Sequence, residues 1–367
     1  MNIVYDYQNL SNPRHSGISR YFVELAARIN RFAGCRAQIV SPIARSPILA
    51  EHRNLVDAVG FDLSGFTMLP DRVAWLVNEV LFRGYTAILR PDIVHETDYG
   101  PRRTAPRLSK IVTTVHDTIP ERLPHLFRDF DKAHARKQTA IARADHVICV
   151  SESTRRDLME FYDVDPARVT VTLLGSSLNP VEDKPVDIGM PYFLHVGSRF
   201  IHKNFGALVQ AFADAGLHRT HCLVNFSSIP FGRDEFQAIE RLGLPRKRLI
   251  RVEGDDRQLA LFYSGAEALV YPSLYEGFGI PVLEAMRCCC PVITSNVSSM
   301  PEISGDAAIY VDPNDVGSIA TAMMRVASSP ETRIQMIGKG MERERCFSWD
   351  RCAAQTHAIY KDVLSKG

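Results

Sequence analysis

Ser273-Leu274-Tyr275-Glu276-Gly277-Phe278-Gly279-Ile280-Pro281-Val282-Leu283-Glu284-Ala285-Met286 joins two acids, two glycines and a helix start in one short stretch. Val270 and Tyr271 close the apolar run before it. Gly277 and Gly279 permit positive φ or close approach to a ligand, and Pro281 suits the first turn of a helix, where its missing N–H costs nothing. A strand therefore feeds a helix here. In a parallel α/β sheet that corner lies at the carboxyl edge, where nucleotides bind and free helix N–H groups attract phosphate. Phosphate is expected near Gly279. Glu276 precedes the helix and Glu284 falls about one turn inside it, so the two carboxylates are expected to grip two ends of one ligand. Vicinal hydroxyls of a sugar or ribose are the natural partners, through charge-assisted hydrogen bonds. The plainer alternative, a solvated loop glutamate and a surface helix glutamate, is outweighed by the glycines and Pro281.

A chain of 367 residues with 46% hydrophobic content buries a large core, and that length suggests two domains. The net charge of +1 argues against a nucleic-acid binder. Arg102 to Arg143 nevertheless holds ten Arg/Lys against four Asp/Glu, an excess suited to phosphates or to peripheral contact with an anionic membrane. A solvated helix face is the simpler reading of that run. Met1 to Tyr5 reads as a first strand rather than a signal sequence, and no apolar run approaches the ~18 residues that cross a bilayer, so a cytoplasmic location is expected. The eight cysteines show no CxxC spacing and read as buried reduced thiols. Asp129-Phe130-Asp131 and Asp163-Val164-Asp165 read as solvated acids, so neither a metal nor another cofactor is expected.

Strand and helix alternate along the whole chain, an α/β signature. Strands are expected at Ile3 to Tyr5, Ala37 to Val40, Ile93 to His95, Ile111 to Val115 and His146 to Val150. The spacing of Tyr21, Phe22, Leu25, Ala26 and Ile29 predicts a helix over Ser19 to Asn30, and Ser151 to Leu158 opens another with capping residues. Residues 179–191, rich in Pro and charge and lacking either period, read as an interdomain linker. Beyond it strands are expected at Tyr192 to Val196, Cys222 to Phe226, Leu249 to Val252, Ala268 to Tyr271, Val292 to Thr294 and Ala308 to Val311. The last segment, Trp349 to Leu364, reads as a helix. The expected domains are 1–180, 190–348 and a C-terminal helix, 349–367.

A second ligand constellation is Val196-Gly197-Ser198-Arg199-Phe200-Ile201-His202-Lys203-Asn204-Phe205, directly after the first strand of the second domain. Arg199 supplies a planar fork for phosphate and Lys203 a point charge, so the pair suits a pyrophosphate without a divalent ion. Asn204 reads as a helix cap. In the first domain, His116 and Asp117 end an apolar strand at the sheet edge. A structural histidine is the commoner outcome there, but the edge position favours function. Gly17, with a potential serine cap, opens the helix after the first strand, a weaker anion-receptive signal.

Together these residues resemble the retaining nucleotide-sugar glycosyltransferases of family 4, with the GT-B fold of two facing Rossmann-like domains. The most specific part is Glu276 to Glu284, which looks like that family's E-x7-E signature. The resemblance implies that Glu284 holds the donor ribose, Glu276 the donor sugar hydroxyls and Arg199 with Lys203 the diphosphate. Gly17 would meet the phosphates from the first domain, and His116 would lie near the reacting sugar. Ser198, Gly277, Phe278 and Gly279 complete the implied donor loops, and the last helix is expected to return to the first domain. His116 to Pro120 together with Gly17 to Tyr21 resembles the bacterial mannosyltransferases that build surface polysaccharides. This implies GDP-mannose or a related GDP-sugar as donor and a glycan or lipid-linked glycan as acceptor. Cys288-Cys289-Cys290 departs from the family pattern, as does Leu174-Gly175-Ser176-Ser177-Leu178. Three rivals stand beside the transferase reading: a glycoside hydrolase, a nucleotide-sugar epimerase of the same fold, and a non-catalytic nucleotide-sugar sensor. Two acids from one corner bind from one side more easily than they flank a scissile bond, which disfavours the hydrolase.

Overall fold

The computed structural model describes residues 1–13, 17–66 and 69–366. Its chain divides into two compact units, one of residues 1–174 with 348–367 and one of residues 175–347. In the first unit the strands are β1 (Asn2–Tyr5), β2 (Arg36–Ala44), β3 (Asp57–Asp62), β4 (Ile93–Glu96), β5 (Lys110–Val115), β6 (His146–Cys149) and β7 (Val169–Val171). They form a seven-stranded sheet in the order β3-β2-β1-β4-β5-β6-β7, parallel throughout. In the second unit β8 (Tyr192–Val196), β9 (Cys222–Phe226), β10 (Leu249–Val252), β11 (Ala268–Tyr271), β12 (Val292–Ser295) and β13 (Ala308–Val311) form a six-stranded parallel sheet, β10-β9-β8-β11-β12-β13. The fold class read from the sequence is therefore the one observed.

Helices cover these sheets because central parallel strands are apolar on both faces. β8, β9 and β11 are buried along their whole length. The helix Phe205–Asp214 buries Phe205, Leu208, Val209, Ala211 and Phe212 against the second sheet. In the first unit the helix Gly17–Ile29 buries Tyr21, Phe22, Leu25, Ala26 and Ile29, the face its spacing predicts. Ser151 caps the helix Glu152–Phe161 by accepting from the Thr154 N–H. The C-terminal helix Trp349–Ser365 packs on Gly17–Ile29 within the first unit. Its Tyr360 hydroxyl bonds His95 Nδ1 of β4 at 2.6 Å.

Strand order reverses once in each sheet, between β1 and β4 and between β8 and β11. At such a switch point the loops leaving the two strands diverge and open a crevice at their carboxyl ends. β8 leads into Gly197 to Lys203 and β11 into Pro272 to Gly279, so the topology brings both sequence constellations to one crevice.

Candidate functional site

β11 ends at Tyr271 and the next helix spans Ile280–Arg287. Gly279 stands at its N-cap with φ of 101°. That backbone angle requires glycine, and a Cβ built there would also meet Met300 Cε at 2.3 Å, which would have to shift. The loop is pinned from the β12 side: Ser299 Oγ donates to the carbonyls of Glu276 (3.0 Å) and Phe278 (2.9 Å), and the Glu276 N–H donates to Ser298 Oγ (3.2 Å).

These bonds hold Glu276 only 6% exposed. Lys203, from the β8 loop, donates to its Oε1 at 2.7 Å and to the Tyr271 hydroxyl at 2.5 Å. Burial pushes the Glu276 carboxyl up, but the charge and hydrogen bond of Lys203 outweigh it, leaving the group below its ordinary range. Burial likewise opposes the Lys203 ammonium, and Glu276 holds it charged, above the usual lysine value. The crevice thus carries an ionised pair that sugar hydroxyls and a phosphate can each address.

Glu284 is partly buried one turn into the helix, and Tyr263 donates to its Oε2 at 3.1 Å. Gly277 and Phe278 are buried, with the Phe278 ring 6.1 Å from that of Phe347. Ser198 is partly buried beside Gly197, whose φ is 109°.

Arg199 behaves differently from Lys203. Its side chain is 4% exposed, and all five N–H groups meet protein acceptors. Nε and Nη2 grip Glu235 at 2.6 and 3.1 Å, Nη1 bonds Asn225 Oδ1 (2.7 Å) and the Ile229 carbonyl (2.9 Å), and Nη2 bonds the Pro230 carbonyl (2.7 Å). The guanidinium also lies 4.3 Å over the Phe231 ring. A phosphate would have to displace one of these partners. Asn204 occupies the N-cap position of Phe205–Asp214 but does not cap it with its side chain. With φ of 58° it turns its amide to the carbonyls of Pro272 (3.1 Å) and Pro313 (2.6 Å), tying the β8 loop to the β11 loop.

In the first unit His116 follows β5. Burial first, and the charge of Lys137 second, lower its imidazole to about 3, so it is neutral at neutral pH. Its ring meets Tyr21 edge-on at 5.1 Å, and its Nε2 is buried without a hydrogen-bond partner among the described residues. Asp117, Lys137, Arg136, Asp98 and Gln8 line a cavity of about 840 Å³ contained in this unit. Gly17 is exposed at the start of its helix; the adjoining Ser16, the potential cap, lies outside the described residues. The cysteines need a correction: Cys289 and Cys346 are exposed and Cys35 is only partly buried, Cys289 lying just past the helix Ile280–Arg287 with φ of 57°.

Sequence reading missed Tyr271, Ser298 and Ser299. Tyr271 sits at the end of an apolar run and reads as core. The two serines carry no spacing signal, because they reach Glu276 only through the β11–β12 pairing.

The family described as "Glycosyl transferases group 1" matches residues 182–343, and "Glycosyltransferase Family 4" matches residues 15–175. Among curated proteins the chain is similar to O-antigen chain mannosyltransferase B of Escherichia coli, with 29% identity over 90% of this chain and 84% of that protein. It is also similar to O-antigen chain mannosyltransferase RfbU of Salmonella typhimurium, with 30% identity over 62% of this chain and 64% of that protein. Among solved structures, sucrose-phosphate synthase from Thermosynechococcus elongatus aligns with a TM-score of 0.80 at 20% identity, covering 100% of this chain and 99% of that one.

Proposed function

The chain belongs to glycosyltransferase family 4 and has the GT-B fold, and from that premise we propose that it transfers mannose from GDP-mannose to a glycan or lipid-linked glycan, with retention at the anomeric carbon. The single observation that carries the site assignment is the ionised Lys203–Glu276 pair in the crevice between β8 and β11. The mannosyl donor rests on similarity to the O-antigen chain mannosyltransferases.

In this reading Glu276 accepts hydrogen bonds from the donor sugar hydroxyls and Lys203 neutralises charge building on the departing diphosphate. Glu284 receives the ribose diol, and the backbone at Ser198 and from Gly277 to Gly279 borders the phosphates. Arg199 is a positioning residue, because its guanidinium fixes the loop that carries Lys203. Gly17 and His116 belong to the first unit's side of the reaction. On that unit the cavity beside Asp117 and Lys137 receives the acceptor, and His116 is neutral. The leaving phosphate oxygen takes the acceptor proton on the face it departs from. Glu276 orients and does not attack.

The test is a panel of GDP-mannose, GDP-fucose, UDP-glucose and UDP-N-acetylglucosamine, each incubated with candidate glycan acceptors in the presence of chelator. Mannose transfer from GDP-mannose with an α-configured product is expected. Transfer from a different donor would overturn the sugar assignment. Conversion of a donor without an acceptor would favour an epimerase, and a covalent sugar adduct on Glu276 would replace the proposed mechanism.

A further inference from the structure

The helix Asp71–Leu89 is inside out. Toward the sheet it buries Ala74, Asn78, Glu79, Phe82 and Thr86, three of them polar. Asn78 fastens it to β2 by accepting from the Ile43 N–H (2.6 Å) and donating to the Ile43 carbonyl (3.0 Å). The opposite face is the apolar one. Val73, Leu76, Val80 and Ile88 recur there at helical spacing, with Leu76 58%, Val80 61% and Ile88 83% exposed. A soluble surface helix places such a stripe on its core, so this one is laid out for a partner outside the unit.

Charge beside the stripe identifies the partner. Arg72 and Arg83 line one edge of the helix, and Arg90 stands at its C-cap. Arg83 donates to the Arg103 carbonyl at 3.4 Å and Arg102 approaches Glu79 at 3.9 Å, which brings the loop from Arg102 to Leu108 against the same edge. That loop adds Arg107 and ends in Leu108, 96% exposed. The nearby carboxylates are already paired, Asp71 with Arg45 and Glu79 with Arg83. An exposed aliphatic stripe about 22 Å long, edged by arginines, suits an anionic bilayer, with the stripe at the acyl boundary and guanidinium groups at the phosphates. Two copies of this face would set arginine edges against each other, which disfavours self-association.

We infer that the outward face of Asp71–Leu89, with Arg107 and Leu108, docks the protein on an anionic lipid surface. This inference does not depend on which donor or acceptor the enzyme uses. It is tested by co-sedimentation of the full chain with phosphatidylglycerol/phosphatidylethanolamine vesicles and with phosphatidylcholine vesicles. Binding to the first and not the second is expected, weakened by high salt. Leu76→Glu with Val80→Glu should lower the bound fraction at least about tenfold without changing the thermal midpoint. Leu108→Glu, in an exposed loop, should lower it several-fold and guards against a folding artefact. Absence of binding to either vesicle, or equal binding by the charged variants, would overturn the proposal. So would a concentration-dependent dimer, read by light scattering, that the same substitutions dissolve.

Discussion

Each sheet buries a carboxylate at its switch point, Asp6 after β1 and Glu276 after β11, but the two are held in opposite ways. Among the described residues no cation is bonded to Asp6. Gln8 donates to it through its backbone (3.2 Å) and its side-chain amide (2.5 Å), and Thr97 through its backbone (3.0 Å) and hydroxyl (2.7 Å). Burial raises its pKa, and these neutral donors pull it only part of the way back. Glu276 has Lys203, and its pKa falls. The lesson concerns use. A carboxylate held by amides and a hydroxyl braces two loops, whereas a lysine-paired one stays ionised and presents both charges to a ligand that carries hydroxyls and phosphate.

The largest effect that would break this contrast is on turnover. Lys203→Ala and Glu276→Gln should each lower kcat at least ~10², the scale of a lost transition-state contact, while Asp6→Asn should leave it within about threefold. Steady-state kinetics on folded protein decides it. Equal losses at Asp6 and Glu276 would erase the distinction between brace and ligand.

Arg199→Ala sharpens the contrast within the second crevice. It strands Glu235, Asn225 and two carbonyls and should cost about 2 kcal/mol of stability in denaturant titration. Its kinetic loss should appear in KM as well as in kcat, because the loop bearing Lys203 loosens. A loss confined to kcat, with stability intact, would make Arg199 a direct phosphate ligand.

A smaller effect compares the two sheets through pH. β4 and β8 each bury one histidine, His95 and His195, and burial lowers both to about 3. The unfolded chain takes up these protons near pH 6.5 and the folded chain does not, so stability falls as pH drops from about 6.5 toward 3. At pH 5 each site should have lost about 2 kcal/mol, and the thermal midpoint should decline from pH 7 to pH 5. The depressed pKa of Glu276 makes its own contribution present above its unfolded value, and lost only as pH falls through the lower folded one. Nucleotide-sugar binding should therefore survive at pH 6. The smallest effect is at Asp129, exposed and, among the described residues, paired only with Lys132 at 3.0 Å. Asp129→Ala should move stability by no more than about 0.5 kcal/mol.

What could be read from the sequence follows from what is local. The buried strands announce themselves as short apolar runs, and Gly279 with Pro281 marks the corner because both act through their own backbone. β3, an exposed edge strand reading Asp57 to Asp62, and the three-residue β7 have no such run and were not foreseen. The partners of Arg199 lie 26 to 36 residues away on β9, the loop after it and the helix Arg233–Arg241, so spacing shows a free fork where the fold supplies five acceptors. Asn204 reads as a cap because asparagine favours that position, but its left-handed backbone points the amide at two prolyl carbonyls instead. The outward stripe of Asp71–Leu89 has the same period as an inward one, and periodicity does not say which side the sheet is on.

The central claim is that the donor's diphosphate and sugar meet at Lys203 and Glu276. Isothermal titration of GDP-mannose into the unaltered protein and into Lys203→Ala tests it most directly. Binding to the first, weakened at least about tenfold in the second at a temperature where both remain folded, is the predicted result; binding of equal affinity in both would place the donor elsewhere.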